Sequence, residues 1–135
     1  MVAPRFPDIE AAFLDWLKAT FPELADAGGK VDLHVGSEPP GPSLDTRLPF
    51  VVARRMGGPD DFFTDYPVID IDVFGRSRAQ AYDLAEGVRT ALLAKPRVGG
   101  VTIDTVQTRT FMRRPWENTQ IRRWGATYEL SARRR

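Results

Sequence analysis

Between residues 66 and 94 the hydrophobic period changes once, and the rest of the chain is arranged around that change. Ile69, Ile71 and Val73 alternate with Asp70 and Asp72, the two-residue period of a half-buried strand. After Gly75 the period becomes helical: Ala81, Leu84, Ala85, Val88, Ala91 and Leu92 form one apolar stripe. Ser77 and Gln80 have capping-box spacing, and Pro96 with Gly99-Gly100 supplies a stop. A strand and a helix joined by so short a turn bury their apolar faces on each other, so this unit is the expected centre of the core.

The same patterns predict the flanking elements. Ile9, Ala12, Phe13, Trp16 and Leu17 give a helix over 8–20, closed at Phe21-Pro22 with room for one further turn before Gly28-Gly29. Alternation predicts strands over 31–36, 48–56, 101–112 and 120–132, the last with Trp124, Ala126, Tyr128 and Leu130 on one face. Residues 37–47 are Pro- and Gly-rich without a period, a loop long enough to be functional or mobile. Phe62 and Phe63 stand in a connecting loop, where they either fold back on the core or form a contact patch. Residues 113–119 read as a turn and 133–135 as a basic tail.

The element order is thus α-β-β-β-α-β-β. It predicts one two-layer α+β domain over 1–135, with both helices on one face of a five-stranded, mostly antiparallel or mixed sheet. The span between Phe74 and Val101 is long enough for a right-handed crossover that sets its two strands parallel.

Composition narrows the chemistry. The formal net charge is +1, so no global field points to nucleic acid or membrane. There is no cysteine and one histidine, His34. Thiol chemistry is excluded, and a serine triad would have to join His34 to a serine such as Ser37. No phosphate loop, dinucleotide fingerprint or zinc-protease pattern occurs. Without an apolar run near ~18 residues, a soluble cytosolic protein is expected. Asp70 and Asp72 are the best candidate for a hard-metal site; the competing reading seats them on the polar sheet face opposite arginines. No enzyme activity, metal or cofactor is expected. Arginines crowd the last quarter of the chain beside Trp116 and Trp124, a composition of subunit interfaces or, less well at this net charge, of nucleic-acid contacts.

One stretch carries a resemblance. Leu48-Pro49-Phe50-Val51-Val52-Ala53-Arg54-Arg55-Met56-Gly57-Gly58 before an acidic turn is similar to the tail terminator (tail completion) proteins of long-tailed phages, in forms from phages of actinobacteria. The alternating strand at 68–73, the helix start at 78–85 and the closing strand at 123–133 resemble the same family. The resemblance implies a virion subunit that closes with itself into a hexameric ring. That ring would cap the head-proximal end of the tail tube, end tube polymerisation and present a surface to head-completion proteins. DNA would pass through its lumen without sequence-specific binding, and assembly would take place in the host cytoplasm. A head-closure protein of the neck is the nearest alternative, and a small nucleic-acid-binding domain a more distant one. Expected interface residues are Arg54, Arg55, Asp60, Asp61, Phe62, Phe63, Asp70, Asp72, Arg113, Arg114, Trp116 and Arg123.

Overall fold

The computed structural model describes residues 6–25, 34–94, 96–98 and 100–133. The glycines expected to act at 28–29 and 99, the strand residues expected at 31–33, and the end of the basic tail at 134–135 lie outside them.

Asp8 starts the first helix, α1 (Ile9–Ala25), by accepting the amide of Ala11 at Oδ1 (3.1 Å). The helix runs through Pro22 and gains the further turn. Next come β1 (His34–Gly36), a 3₁₀ helix (Gly41–Thr46), β2 (Phe50–Gly57), β3 (Thr64–Asp65) and β4 (Val68–Gly75). The second helix, α2 (Arg78–Leu93), is opened by Ser77, whose side chain accepts from the Gln80 amide. Gln80 Oε1 accepts in return from the Arg76 amide at 2.7 Å, one residue before the cap. β5 (Arg97–Val98), β6 (Val101–Arg114) and β7 (Arg122–Arg133) complete the chain. No helix among the described residues is long and apolar enough to cross a membrane.

The sheet order is β1-β2-β4-β7-β6-β5, with β3 also on β7, so among the described residues the sheet has seven strands rather than five. The two unexpected strands, β3 and β5, are two residues each, too short for any period to show. β3 and β4 lie end to end along the same side of β7, interrupted at Tyr66-Pro67, where Pro67 offers only its carbonyl, to the Leu130 amide (3.1 Å). All pairings are antiparallel except β1 with β2. The crossover through α2 does leave β4 and β6 parallel, but β7 is inserted between them.

Both helices cover one sheet face. Phe13 and Leu17 from α1, Leu84 and Leu92 from α2, and Ile69, Val73 and Tyr128 from the sheet are fully buried in one cluster. Burying each such side chain contributes about 1.5–3 kcal/mol. The opposite face is not left wet at its upper end. The 3₁₀ helix, expected only as an irregular loop, lays Leu44 over Phe50, Val52, Phe74 and Ile121, with Leu48 and Trp116 packed alongside. Segment 113–119 is likewise not all turn, because Arg113 and Arg114 still belong to β6. Bulges at Asp104 and Arg109 shift the β6 register against β7 twice, so strict alternation is lost along that strand.

Candidate assembly surfaces

The expected interface residues fall into three groups. Asp70, Asp72, Arg114 and Arg123 meet on the sheet face turned away from the helices. Their register explains it: Asp72 lies opposite Gly125, Arg123 opposite Phe74, and Arg114 opposite Arg123. Arg114 Nη1 donates to Asp72 Oδ1 (3.0 Å) and to both oxygens of Asp70 (3.2 and 3.3 Å). Arg123 grips Asp72 with two bonds of 3.1 and 2.8 Å, and the Thr127 hydroxyl donates to Asp70 Oδ1 at 2.8 Å. The Asp72 side chain is 4% exposed, so the pairing operates largely out of water. Gly125 makes the arrangement possible, since a Cβ there would collide with the Arg114 guanidinium. Two carboxylates met by two guanidinia are already neutralised. The hard-metal reading of Asp70 and Asp72 therefore fails, and no group of three or more metal-ligating side chains occurs among the described residues.

The second group sits at the lower end of the sheet. Residues 59–66 form a small hairpin: Asp60 bridges Asp65, Tyr66 N donates to Pro59 O (2.9 Å), and Asp61 N donates to Thr64 O (2.9 Å). Its two-residue tip is Phe62-Phe63, with the rings edge-on at 4.9 Å. Those side chains are 69% and 74% exposed. Three devices hold the tip. Asp61 Oδ1 accepts the amides of Phe63 (2.9 Å) and Thr64 (2.8 Å), and these two N–H groups keep its carboxyl below the usual carboxylate range. The Tyr66 hydroxyl donates to Asp61 Oδ2 (3.1 Å), and that bond to an anion raises the phenol above its ordinary value. Arg55 clamps the base, gripping Asp65 with two bonds of 2.7 Å and the carbonyls of Gly57 and Gly58. Gly58, at φ +112, could carry no Cβ without striking the Tyr66 carbonyl.

The third group sits at the upper end, one length of β4 away, roughly 25 Å at strand rise. A pocket of about 430 Å³ is lined there by Trp116 and Ile121 with Arg113, Arg114, Arg122 and Arg123. Trp116 packs on Phe74 (4.8 Å), and the Arg123 guanidinium lies 5.5 and 5.7 Å from the two ring centroids. Arg113 and Arg122 are exposed and make no ion pair among the described residues.

Arg54 faces the same side as Asp70, half-buried and outside the ion-pair network. Sequence reasoning did not include Asp65, Tyr66, Gly125, Thr127 or Arg122 in the surface. Arg122 was within reach of the strand period, which turns it and Arg123 to opposite faces. The Arg55–Asp65 clamp spans a hairpin and left no sequence signal.

Neither the models of known protein families nor the sequences of curated proteins match this chain. Among solved structures it is similar to a chain in the virion of a native gene transfer agent particle, with a TM-score of 0.59 at 19% identity. The likeness covers 93% of this chain and 98% of that one, so the two share a fold from end to end.

Proposed function

We propose that this chain is a structural subunit of a phage-type virion. In this reading it is one sector of a closed ring on the head-proximal end of the tail tube, where it ends tube polymerisation and receives the head-completion proteins. The observation that carries the reading is the end-to-end fold likeness to a chain built into a virion. It agrees with the resemblance of the 48–58, 68–73 and 123–133 stretches to tail terminators.

The surfaces support a subunit that acts by shape. The acidic pair of the central strand, Asp70 and Asp72, is held by arginines and so serves structure. The two ends of the sheet differ in kind: one offers an aromatic tip beside acidic residues, the other an arginine-rimmed pocket. A subunit of a heterologous ring needs two such unlike patches. Of the six C-terminal arginines among the described residues four are matched internally, Arg109 by Glu129 and Arg133 by Asp104 as well as Arg114 and Arg123 in the lattice. Duplex DNA should therefore bind weakly and with a shallow salt dependence.

Native mass spectrometry with negative-stain imaging tests the proposal. The expected result is a ring with the mass of six copies of a 15.2 kDa chain that binds purified tail tubes at one end. A ring that binds portal-side rings and ignores tubes would move it to the head-closure position. A monomer under all conditions, tubes included, would overturn it.

A further inference from the structure

We infer that Phe62 and Phe63 of one copy enter the arginine-rimmed pocket of the next copy, between Arg113, Trp116, Ile121 and Arg122. The inference rests on the ring reading and supplies its subunit contact. Four observations converge on it.

The tip is built before it binds. Asp61, Tyr66 and the Arg55–Asp65 clamp fix the backbone on either side of two exposed rings, so little ordering cost remains for association. Each ring can bury on the order of 150–250 Å² in a partner. The pocket has matching chemistry, an aromatic and aliphatic floor under guanidinia, and the chain already uses that contact where Arg123 lies over Phe74 and Trp116. Charge agrees as well. Asp60 is exposed and Asp61 is held ionised beside the tip, whereas Arg113 and Arg122 carry charge that no carboxylate among the described residues meets. Finally, tip and pocket lie at opposite ends of β4, so joining them is a head-to-tail contact that repeats and can close by rotation. The larger groove of about 630 Å³ between Pro59, Tyr66, Thr105 and Glu129 is a poorer receptor. It lies at the tip's own end, where it would favour a two-fold pair, and its one carboxylate, Glu129, is already paired with Arg109, so it offers no charge to match the acidic tip.

The experiment uses two variants of the full chain, Phe62→Ser/Phe63→Ser and Arg113→Glu/Arg122→Glu, studied by native mass spectrometry. All four side chains are exposed and lie outside the ion-pair lattice, so the far-ultraviolet circular dichroism of each variant should match the parent, while its melt falls only by what lost assembly removes. Each variant alone should lose at least tenfold in assembly constant and run as a monomer. Mixed at equal amounts, they should stop at a dimer of one copy of each, because one intact tip and one intact pocket remain. If either double variant fails to fold, the single changes Phe63→Ser and Arg122→Glu take its place in the same mixing test. Parent rings with variants that still form rings, or a mixture that stays monomeric, would overturn the tip-in-pocket contact and leave the ring reading standing. A parent that never oligomerises would sink both.

Discussion

Replacing Gly125 by Ala should destabilise the native protein yet stabilise a protein that lacks Arg114. The Cβ would occupy the space of the Arg114 guanidinium, which would have to leave Asp70 and Asp72. Hydrogen bonds to charged groups contribute about 1.5–3 kcal/mol each. The Arg114 side chain is 21% exposed and Asp72 keeps Arg123, so the lattice loses less than the sum, about 2–3 kcal/mol. Removing a strand glycine returns about 0.5–1 kcal/mol. The net cost of Gly125→Ala is then about 1–2.5 kcal/mol, a drop of roughly 3–8 °C for a chain of this size. In an Arg114→Ala background only the glycine term survives, and the same change should raise stability by about 0.5–1 kcal/mol. Urea midpoints of the four proteins, measured at one protein concentration because assembly shifts apparent stability, complete the cycle. A change of the same sign and size in both backgrounds would refute the steric account of Gly125.

Three further outcomes follow from the same structure. Leu84→Ala, at a fully buried site between α2 and the sheet, should cost about 2–5 kcal/mol by urea unfolding. Arg55→Ala should cost about 2–4 kcal/mol because it strands the Asp65 carboxylate, 3% exposed, whereas Arg109→Ala, in an exposed pair, should cost under about 1 kcal/mol. For the same reason Arg55→Glu reports on folding and cannot serve as an interface probe. Burial pushes the Tyr128 phenol upward, so folding holds its proton more tightly than the unfolded chain does. That contribution is complete below the ordinary tyrosine value near pH ~10 and is lost as pH rises past it, so the melting temperature should fall in alkali and Tyr128→Phe should flatten the slope.

The elements legible in the sequence were those whose burial is one-sided and sustained. β4 and α2 announced themselves because Ile69, Ile71 and Val73, then Leu84, Val88 and Leu92, all meet one core. β6 was legible as a strand over 101–112, but its inward face only at its start, since the bulges at Asp104 and Arg109 move the inward position twice. The 3₁₀ helix escaped because a single buried residue, Leu44, anchors it to a second cluster with no period of its own. The site divides the same way. The reading of Asp70 and Asp72 as residues facing arginines needed only strand alternation, which Asp72 opposite Gly125 and Arg123 opposite Phe74 bear out. The hairpin tip depends on Asp61, Arg55 and Asp65 bonding across a fold of the chain. Composition at 57–66 indicates a turn there but not its rigidity.

The outer margin of β6 beyond its first residues has no strand beside it among the described residues, and it runs for most of fourteen residues. A straight margin of that length would be a template on which any extended chain could crystallise into fibres. Here the strand is crimped at two points, and the exposed Arg113 adds a charge that no carboxylate among the described residues meets. Newly made molecules crowded together would thus find side chains to dock by and no backbone to fuse along, so crowding should yield counted assemblies in place of unlimited ones.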